Sequence, residues 1–308
     1  MHHRAQTRRR AAVALALTTT GALLLTGCGG EEKEAAKDPV QEIRAKIPNA
    51  QQSAKVLRIG MDVNYPPVEF RGTDGKPDGL DPDIAAALGR ILDLRIEYVD
   101  TPFDKLIPNL HHKQYDVAMS ALSDIRQRRD GVDEAGKSTG LSVDFVDYFI
   151  AGTSMVVPKG NPKGIRTLDD LCGKTVAVQS GTTQDEIVTR QVTACTRANK
   201  PLTVHKFDTD AKALAEVASG AAQAGLNDFP VAAYAAKTTD GGNRFEVTGA
   251  QSRSNPYGIA LRKEDSALRD VLAKAIDQLI RSGEYDKILT KWNVAAGAAQ
   301  NAVVNGGI

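Results

Sequence analysis

Apolar and polar positions alternate over Val56-Leu57-Arg58-Ile59-Gly60-Met61 and again from Leu94 to Val99, a period of two that predicts two strands. Between them Ile84, Ala87, Leu88 and Ile91 recur at helical spacing, with Asp81 as the expected cap and Pro82 in the first helical position. Phe103 to Pro108 opens a short helix. Asp116 to Ser123 reads as a third strand, whose apolar run Val117 to Leu122 gives way to a hydroxyl and then to Arg126-Gln127-Arg128-Arg129. Strand, helix, strand, helix, strand is the order of a parallel sheet in an α/β fold. Asp130 to Ser142 is polar with no apolar period and reads as a surface excursion. The extended run that follows, Val143 to Val157, is a candidate crossing between two lobes.

A second α/β unit repeats the pattern. Thr175 to Val178 is a strand, Gln179 to Gln184 a tight turn containing Gly181, and Asp185 to about Thr193 a helix. Val204 to Phe207 and Asp210 to Ala218 give a further strand and helix. Gly225 to Pro230 is a strand end turning into a helix, and Phe245–Val247 and Tyr257–Leu261 look like the return to the first unit. Amphipathic helices over Asp265–Arg281 and Glu284–Trp292 close the body. Residues 295–308 are small and polar and are expected to be a disordered tail.

The beginning of the chain follows a different rule. Arg4, Arg8, Arg9 and Arg10 precede the apolar run Ala11 to Leu25, too short and too rich in small residues for a membrane span. The run ends in Leu25-Thr26-Gly27-Cys28, which resembles the lipobox of bacterial lipoproteins. That resemblance implies a signal peptide over 1–27, cleavage before Cys28 and lipidation of its thiol. Residues 28–54, mixed in charge and containing Pro39 and Pro48, read as a flexible tether with one helical turn near Val40–Lys46.

Cysteine usage fits an exported chain. Of three cysteines, Cys172 and Cys195 remain after the lipid anchor, and an oxidising compartment favours their closing a disulfide; two buried free thiols are the alternative. The histidines His2, His3, His111, His112 and His205 form no ligand set, so no metal is expected, and no cofactor motif is present. Hydrophobic residues at 42% and charged residues at 25% describe an ordinary globular body. A formal net charge of +1, without a basic patch interleaved with aromatics, excludes nucleic acid as an expected partner.

Two segments carry candidate chemistry. In open α/β folds ligands sit at the carboxyl ends of strands. Ser123 and an arginine delivered to that edge offer a bidentate clamp for a carboxylate. Gly181-Thr182-Thr183 at a helix start adds main-chain donors and a dipole that favours an anion. Simpler local readings stand beside these. Asp228 fits an N-cap for the helix beginning at Phe229, and Thr182 or Thr183 a cap for theirs. Tyr65 and Phe103 fit ordinary packing, and Arg126 and Arg129 solvated positions.

Taken together, Ile59 to Pro67, Gly79 to Ile84, Phe103 to Pro108, Asp144-Phe145, Val178 to Gln184, Tyr257 to Ala260 and Gly283 to Ile288 resemble the extracellular solute-binding proteins of bacterial ABC importers, polar amino-acid family 3. The resemblance implies a two-lobed periplasmic-binding-protein-like (type II) fold, two Rossmann-like lobes joined by two crossing strands. One lobe would hold residues 55–150 plus 249–294 and the other 151–248. It also implies a ligand set. Arg128 would take the α-carboxylate of an amino acid, helped by Thr183, Thr182 and nearby N–H groups, and Asp228 its ammonium. Ser123 and the main chain of Ala121, where many members carry a hydroxyl, would hold its backbone end. Tyr65 and Phe103 would sandwich its side chain, with Asp62 near the tip and Gln184 adding a polar contact.

The implied function is a monomeric, lipid-anchored binding protein at the extracytoplasmic face of the membrane. It would pass a polar L-amino acid, basic or amide, to ABC permease subunits. Two alternatives remain. One is an exported dehydratase of cyclohexadienyl acids on the same scaffold, with Asp62 or Glu69 as general acid. The other is a ligand-sensing receptor for a membrane partner.

Overall fold

The computed structural model describes residues 38–133 and 135–308. The expected signal peptide, Cys28 and the first part of the tether lie outside the described residues.

Two short helices, α1 (Pro39–Arg44) and α2 (Asn49–Ala54), precede strand β1 (Val56–Met61). A small antiparallel sheet follows, of β2 (Asn64–Tyr65), β3 (Glu69–Arg71) and β4 (Pro77–Asp78). Helix α3 (Leu80–Leu92), strand β5 (Arg95–Asp100), helix α4 (Leu106–His111), strand β6 (Val117–Ala118) and helix α5 (Arg126–Asp130) come next. The 16-residue strand β7 (Val143–Pro158) then leads to β8 (Thr175–Gln179), α6 (Thr183–Arg197), β9 (Thr203–Phe207), α7 (Asp210–Ser219), β10 (Ala224–Asp228) and α8 (Phe229–Thr238). The 18-residue strand β11 (Phe245–Arg262) returns, followed by α9 (Ser266–Arg281), α10 (Glu284–Lys291) and β12 (Ala298–Val304).

One sheet runs through both lobes in the order β5-β1-β6-β11-β7-β10-β8-β9. Its outer members pair in parallel, β1 with β5 and β6, and β8 with β9 and β10. In the middle β7 and β11 form a long antiparallel ribbon, from Val143 opposite Arg262 to Pro158 opposite Phe245. Its register slips between Thr248 and Ser252 and between Ser252 and Asn255, midway between the lobes. Separate apolar cores lie on either side of that point. One gathers Ile59, Leu88, Val117, Ile259 and Leu272; the other gathers Val157, Val176, Val178, Ile187 and Leu226. The ribbon is therefore the continuous link between the cores, and its irregular centre is where bending disturbs the fewest ladder bonds.

Three expectations are corrected. Residues 295–308 are not a disordered tail: β12 pairs antiparallel with β7, placing Val303 opposite Asp147 and Val304 opposite Val146. It lies along an edge of β7 that would otherwise expose unpaired main-chain groups. Small side chains concealed this role, because a strand that covers an edge needs little apolar alternation. Residues 38–54 of the expected flexible tether are docked. Ile43 and Ile47, four residues apart, enter the first core, and the Arg44 guanidinium donates to the Ile91 carbonyl at 2.8 Å. Asp81 does not cap α3; Gly79 occupies the cap position and Asp81 is buried inside the first turn, serving the cleft instead.

Cys172 and Cys195 are joined by a disulfide across 23 residues, with Cys195 fully buried. Closing such a loop restricts the unfolded chain, so the double substitution Cys172→Ala/Cys195→Ala should lower unfolding free energy by about 3 kcal/mol. Urea titration of variant and parent checks this.

Candidate ligand cleft

Between the lobes lies a nearly closed cleft, with about 20 Å³ of free space, lined by Asp62, Tyr65, Glu69, Phe103, Ala121, Ser123, Arg128, Gln179, Thr182, Thr183, Gln184 and Asp228. Every residue put forward from the sequence as ligand-binding is among them. Two were not: Gln179, and Glu69, which had been considered only as a catalytic acid. Each is a polar residue at an otherwise apolar strand position, the end of β8 and the start of β3, and that interruption is the signal that could have found them.

Chain direction sets the arrangement. Asp62 follows β1, Phe103 opens a single 3₁₀ turn after β5, and Ser123 lies just past β6, so the first lobe presents the carboxyl ends of three parallel strands. In the second lobe Gln179 ends β8 and Asp228 ends β10. Asp228 holds the N-cap position of α8 yet makes no side-chain capping bond; its carboxylate points into the cleft instead. Thr182 is a true N-cap, its hydroxyl accepting from the Asp185 N–H at 3.1 Å.

Arg128 spans the cleft. Its Nη1 donates to the Ser123 carbonyl at 2.9 Å and its Nη2 to the Gly181 carbonyl of the opposite lobe at 3.3 Å. The guanidinium lies 5.5 Å from the centre of the Phe103 ring, within cation–π range. Burial lowers its pKa to about 10, so it stays cationic at neutral pH.

Facing it, Asp228 is buried and held by two neutral donors. Tyr65 donates its hydroxyl to Oδ2 at 3.2 Å, and Gln184 Nε2 donates to Oδ1 at 2.7 Å. The Asp228 N–H in turn donates to the Tyr65 hydroxyl oxygen at 3.0 Å. Burial raises the Asp228 pKa to about 6, against the pull first of the buried Tyr257 hydroxyl, then of Tyr65, Gln184 and the Arg128 charge.

At the floor, Asp62 accepts from Asn64 Nδ2 and, across the lobes, from Gln179 Nε2, both at 2.9 Å. Burial raises its pKa despite both bonds. Glu69 accepts from the Ser120 hydroxyl at 2.9 Å, while its other oxygen is buried without a partner among the described residues. Burial first, then the charge of Asp81, hold its carboxyl well above the usual carboxylate range, so it can stand neutral and donate.

At Ala121 one of the two main-chain groups is already taken. Its N–H is already committed to Asp81 Oδ2 at 3.0 Å, so its carbonyl is what it has left to offer. The residue sits at φ 46°, a left-handed conformation that costs a non-glycine residue about 1 kcal/mol or more. The buried Asp81, which also accepts from the Tyr148 hydroxyl at 2.7 Å, stabilises that conformation. Arg129 is corrected: it is not solvated but donates to the buried Asp124 at 2.6 Å. Arg126 is exposed, as expected, and pairs with Asp130.

Two α/β lobes, joined by a paired ribbon and facing each other across a polar cleft, are the periplasmic-binding-protein fold. The chain belongs to the bacterial extracellular solute-binding proteins, family 3, whose model matches residues 57–295. It is 29% identical to the arginine-binding protein ArgT of Corynebacterium glutamicum over 270 residues, 87% of this chain and 84% of that protein. Among solved structures, an ancestral arginine-binding protein bound to arginine superposes with a TM-score of 0.68 at 33% identity, covering 77% of this chain and 98% of the other. The ancestral amino-acid-binding protein AncCDT-1, a precursor of cyclohexadienyl dehydratase, gives a TM-score of 0.68 at 32% identity, covering 79% and 97%.

Tyr65 joins the lobes through both a donated and an accepted bond, so Tyr65→Phe should weaken the closed form of the empty protein by about 1–2 kcal/mol. Small-angle scattering of the unliganded variant should show a larger radius of gyration than the parent.

Proposed function

We propose that this protein captures a polar L-amino acid between its lobes and delivers it to the permease of an ABC importer, held at the extracytoplasmic membrane face by a lipid on Cys28. The observation that carries this reading is the placement of Arg128 and Asp228 on opposite lobes of one cleft. A zwitterion presents a carboxylate and an ammonium one carbon apart. Arg128 takes the first and Asp228 the second, so both are satisfied only when the lobes are shut. Thr183 and the start of α6 add donors for the carboxylate, and Tyr65 and Phe103 flank the side chain.

The side chain is cationic in this reading. Of the three carboxyls that line the cleft, Glu69 stands neutral, which leaves Asp62 and Asp228 against one guanidinium. A ligand with an extra positive charge balances that excess, whereas an amide does not. The arginine-binding relatives support the same choice, and a glutamine-type ligand is second.

The dehydratase alternative has one observation in its favour, a neutral carboxylic acid at Glu69. The other two carboxyls of the cleft are taken up by hydrogen bonds, Asp62 with Asn64 and Gln179 and Asp228 with Tyr65 and Gln184, so capture without turnover is the preferred reading. Formation of product from arogenate would reverse that preference.

Calorimetric titration with the twenty amino acids, ornithine and citrulline tests the assignment. Arginine, lysine or ornithine should bind tightest, and Arg128→Ala should weaken the best of them by a factor of about 30 or more. Affinity unchanged by Arg128→Ala would remove the central role given to that residue.

Proton linkage supplies a second test. A bound ammonium requires ionised Asp228, and in the empty protein this group titrates at about 6. Affinity should therefore be level above that pH and fall by up to about tenfold for each pH unit below it. Asp228→Asn should bind weakly at every pH and lose that component of the slope.

A further inference from the structure

We propose that the segment from Ala298 to Ile308 is a strap that positions Arg128, holding the residues on either side of it in place. The inference rests on the reading of Arg128 as the anchor for the ligand carboxylate.

Helix α5, which carries Arg128, is five residues long and has no side-chain capping bond at its start. Such a helix does not hold its own geometry, because its first N–H groups lack partners and it is far below the length that sustains a helix in water. The strap supplies what is missing. The Arg126 N–H donates to the main-chain oxygen of Ile308 at 3.1 Å. Just ahead of the cap residue Ile125, the buried Asp124 accepts the Gly307 N–H at 2.8 Å. Arg129, on the far side of Arg128, donates to Asp124 at 2.6 Å and to the Gly307 carbonyl at 2.9 Å. Residues 124, 126 and 129 are thus all tied to Gly307 or Ile308, while Arg128 itself reaches the cleft.

The strap is anchored along its length. Asn305 accepts from the Phe145 N–H at 2.8 Å and donates to Asp144 at 3.0 Å, and the Gly306 N–H donates to Asp147 Oδ2 at 3.0 Å. Asp147 is buried close to Asp124; burial, and then the charge of Asp124, raise it to about 7. The N–H groups of Gly306 and Gly307 therefore serve two carboxyls that are out of reach of bulk water.

Only glycine allows so close an approach. A Cβ on Gly307 would lie 1.9 Å from the Asp124 carbonyl oxygen, and one on Gly306 would lie 2.6 Å from Val303 Cγ1 and 2.8 Å from Asp147 Oδ2. Any side chain at 307 must lift the strap from the residue that leads into α5.

Two variants test the proposal in the otherwise complete chain: Gly307→Val, and deletion of Asn305–Ile308, which leaves β12 in place. Hydrogen exchange of the unliganded protein should show faster amide exchange at Arg126–Arg129 in both. Arginine affinity should fall roughly tenfold or more, the loss expected when a charged group's hydrogen bonds are misplaced. In an Arg128→Ala background Gly307→Val should cause little further loss, because a positioning residue acts only through the group it positions. Faster exchange with unchanged arginine affinity, or equal losses with and without Arg128, overturns the proposal and leaves the strap a structural edge. Normal arginine affinity in Arg128→Ala alone overturns both this proposal and the functional reading beneath it. Loss in Arg128→Ala with none in either strap variant removes the strap alone.

Discussion

Burying the carboxylate of Asp228 is the constraint to which the rest of the cleft answers. Desolvation alone would neutralise it, and the neighbours keep it near the edge of ionisation instead. Tyr65 arrives from the other lobe and Gln184 from α6, each donating one bond, while Arg128 contributes charge from across the gap. The empty cleft is thus a set of polar groups satisfied by one another across the lobes. Gln179 with Asp62, and Arg128 with the Gly181 carbonyl, complete that set. A ligand does not fill an unsatisfied hole; it exchanges these bonds for its own. Selectivity then depends on the difference between the two sets, which is largest for a molecule bearing full charges where Tyr65 and Gln184 offer only dipoles.

Support for the cleft extends well behind its wall. The Ala299 N–H donates to the Tyr285 hydroxyl at 3.1 Å, which donates to the Tyr148 carbonyl at 2.6 Å. The Tyr148 hydroxyl meets Asp81, and Asp81 holds the strained Ala121 at the cleft. From β12 to the ligand wall the path is hydrogen-bonded through buried tyrosines, whose large rings also fill the core between α3 and the sheet. Polar networks of this kind rigidify when every member is satisfied, so a conformation that Ala121 would not hold alone becomes the resting one. In the second lobe the start of α6 is held by the Thr182 hydroxyl donating to the Gln179 carbonyl at 2.8 Å, by Gln184 donating to Thr153 at 3.1 Å and by Lys206 pairing with Asp185, while the disulfide ties its far end.

Much of this was legible in the chain. Parallel strands showed as short apolar runs, and the cleft residues cluster at their carboxyl ends because that is where the main chain turns away and frees side chains for a ligand. The Gly181 turn and an arginine past β6 were readable for that reason, whereas Arg128 in particular and the cleft-facing Asp228 came from the family resemblance. The tail was not. Ala298 to Val304 has neither the length of an apolar run nor clear alternation, and its role as an edge cover depends on what β7 leaves open, which is a tertiary fact. Asp81 was misread because a carboxylate before a proline at a helix start is a strong capping pattern. Nothing local announces that Gly79, two residues earlier, takes the cap position and frees Asp81 for Ala121. Arg129 reads as solvated for a similar reason: its partner Asp124 is close in sequence, but the Gly307 main chain that bonds to both residues is far along the chain.

Glu69 and Asp62 bear on charge selection in different ways. Glu69 lies fully buried against Ser120 and close to Asp81, and two carboxyls so placed do not both ionise at neutral pH. It therefore offers the cleft a neutral group able to donate or accept, tolerant of an amide as well as a cation. Asp62 is different in kind. Asn64 and Gln179 both donate to it, an arrangement that favours the ionised form and opposes its burial. Of the two carboxyls at the floor, Asp62 is the one whose hydrogen bonds oppose the burial that raises its pKa. Because Gln179 reaches Asp62 from the opposite lobe, a cation that draws Asp62 toward itself also competes with one of the bonds that closes the empty cleft. Under the proposed function, charge recognition at the floor and lobe closure are in this way coupled through a single carboxylate, as that reading also has it at Asp228.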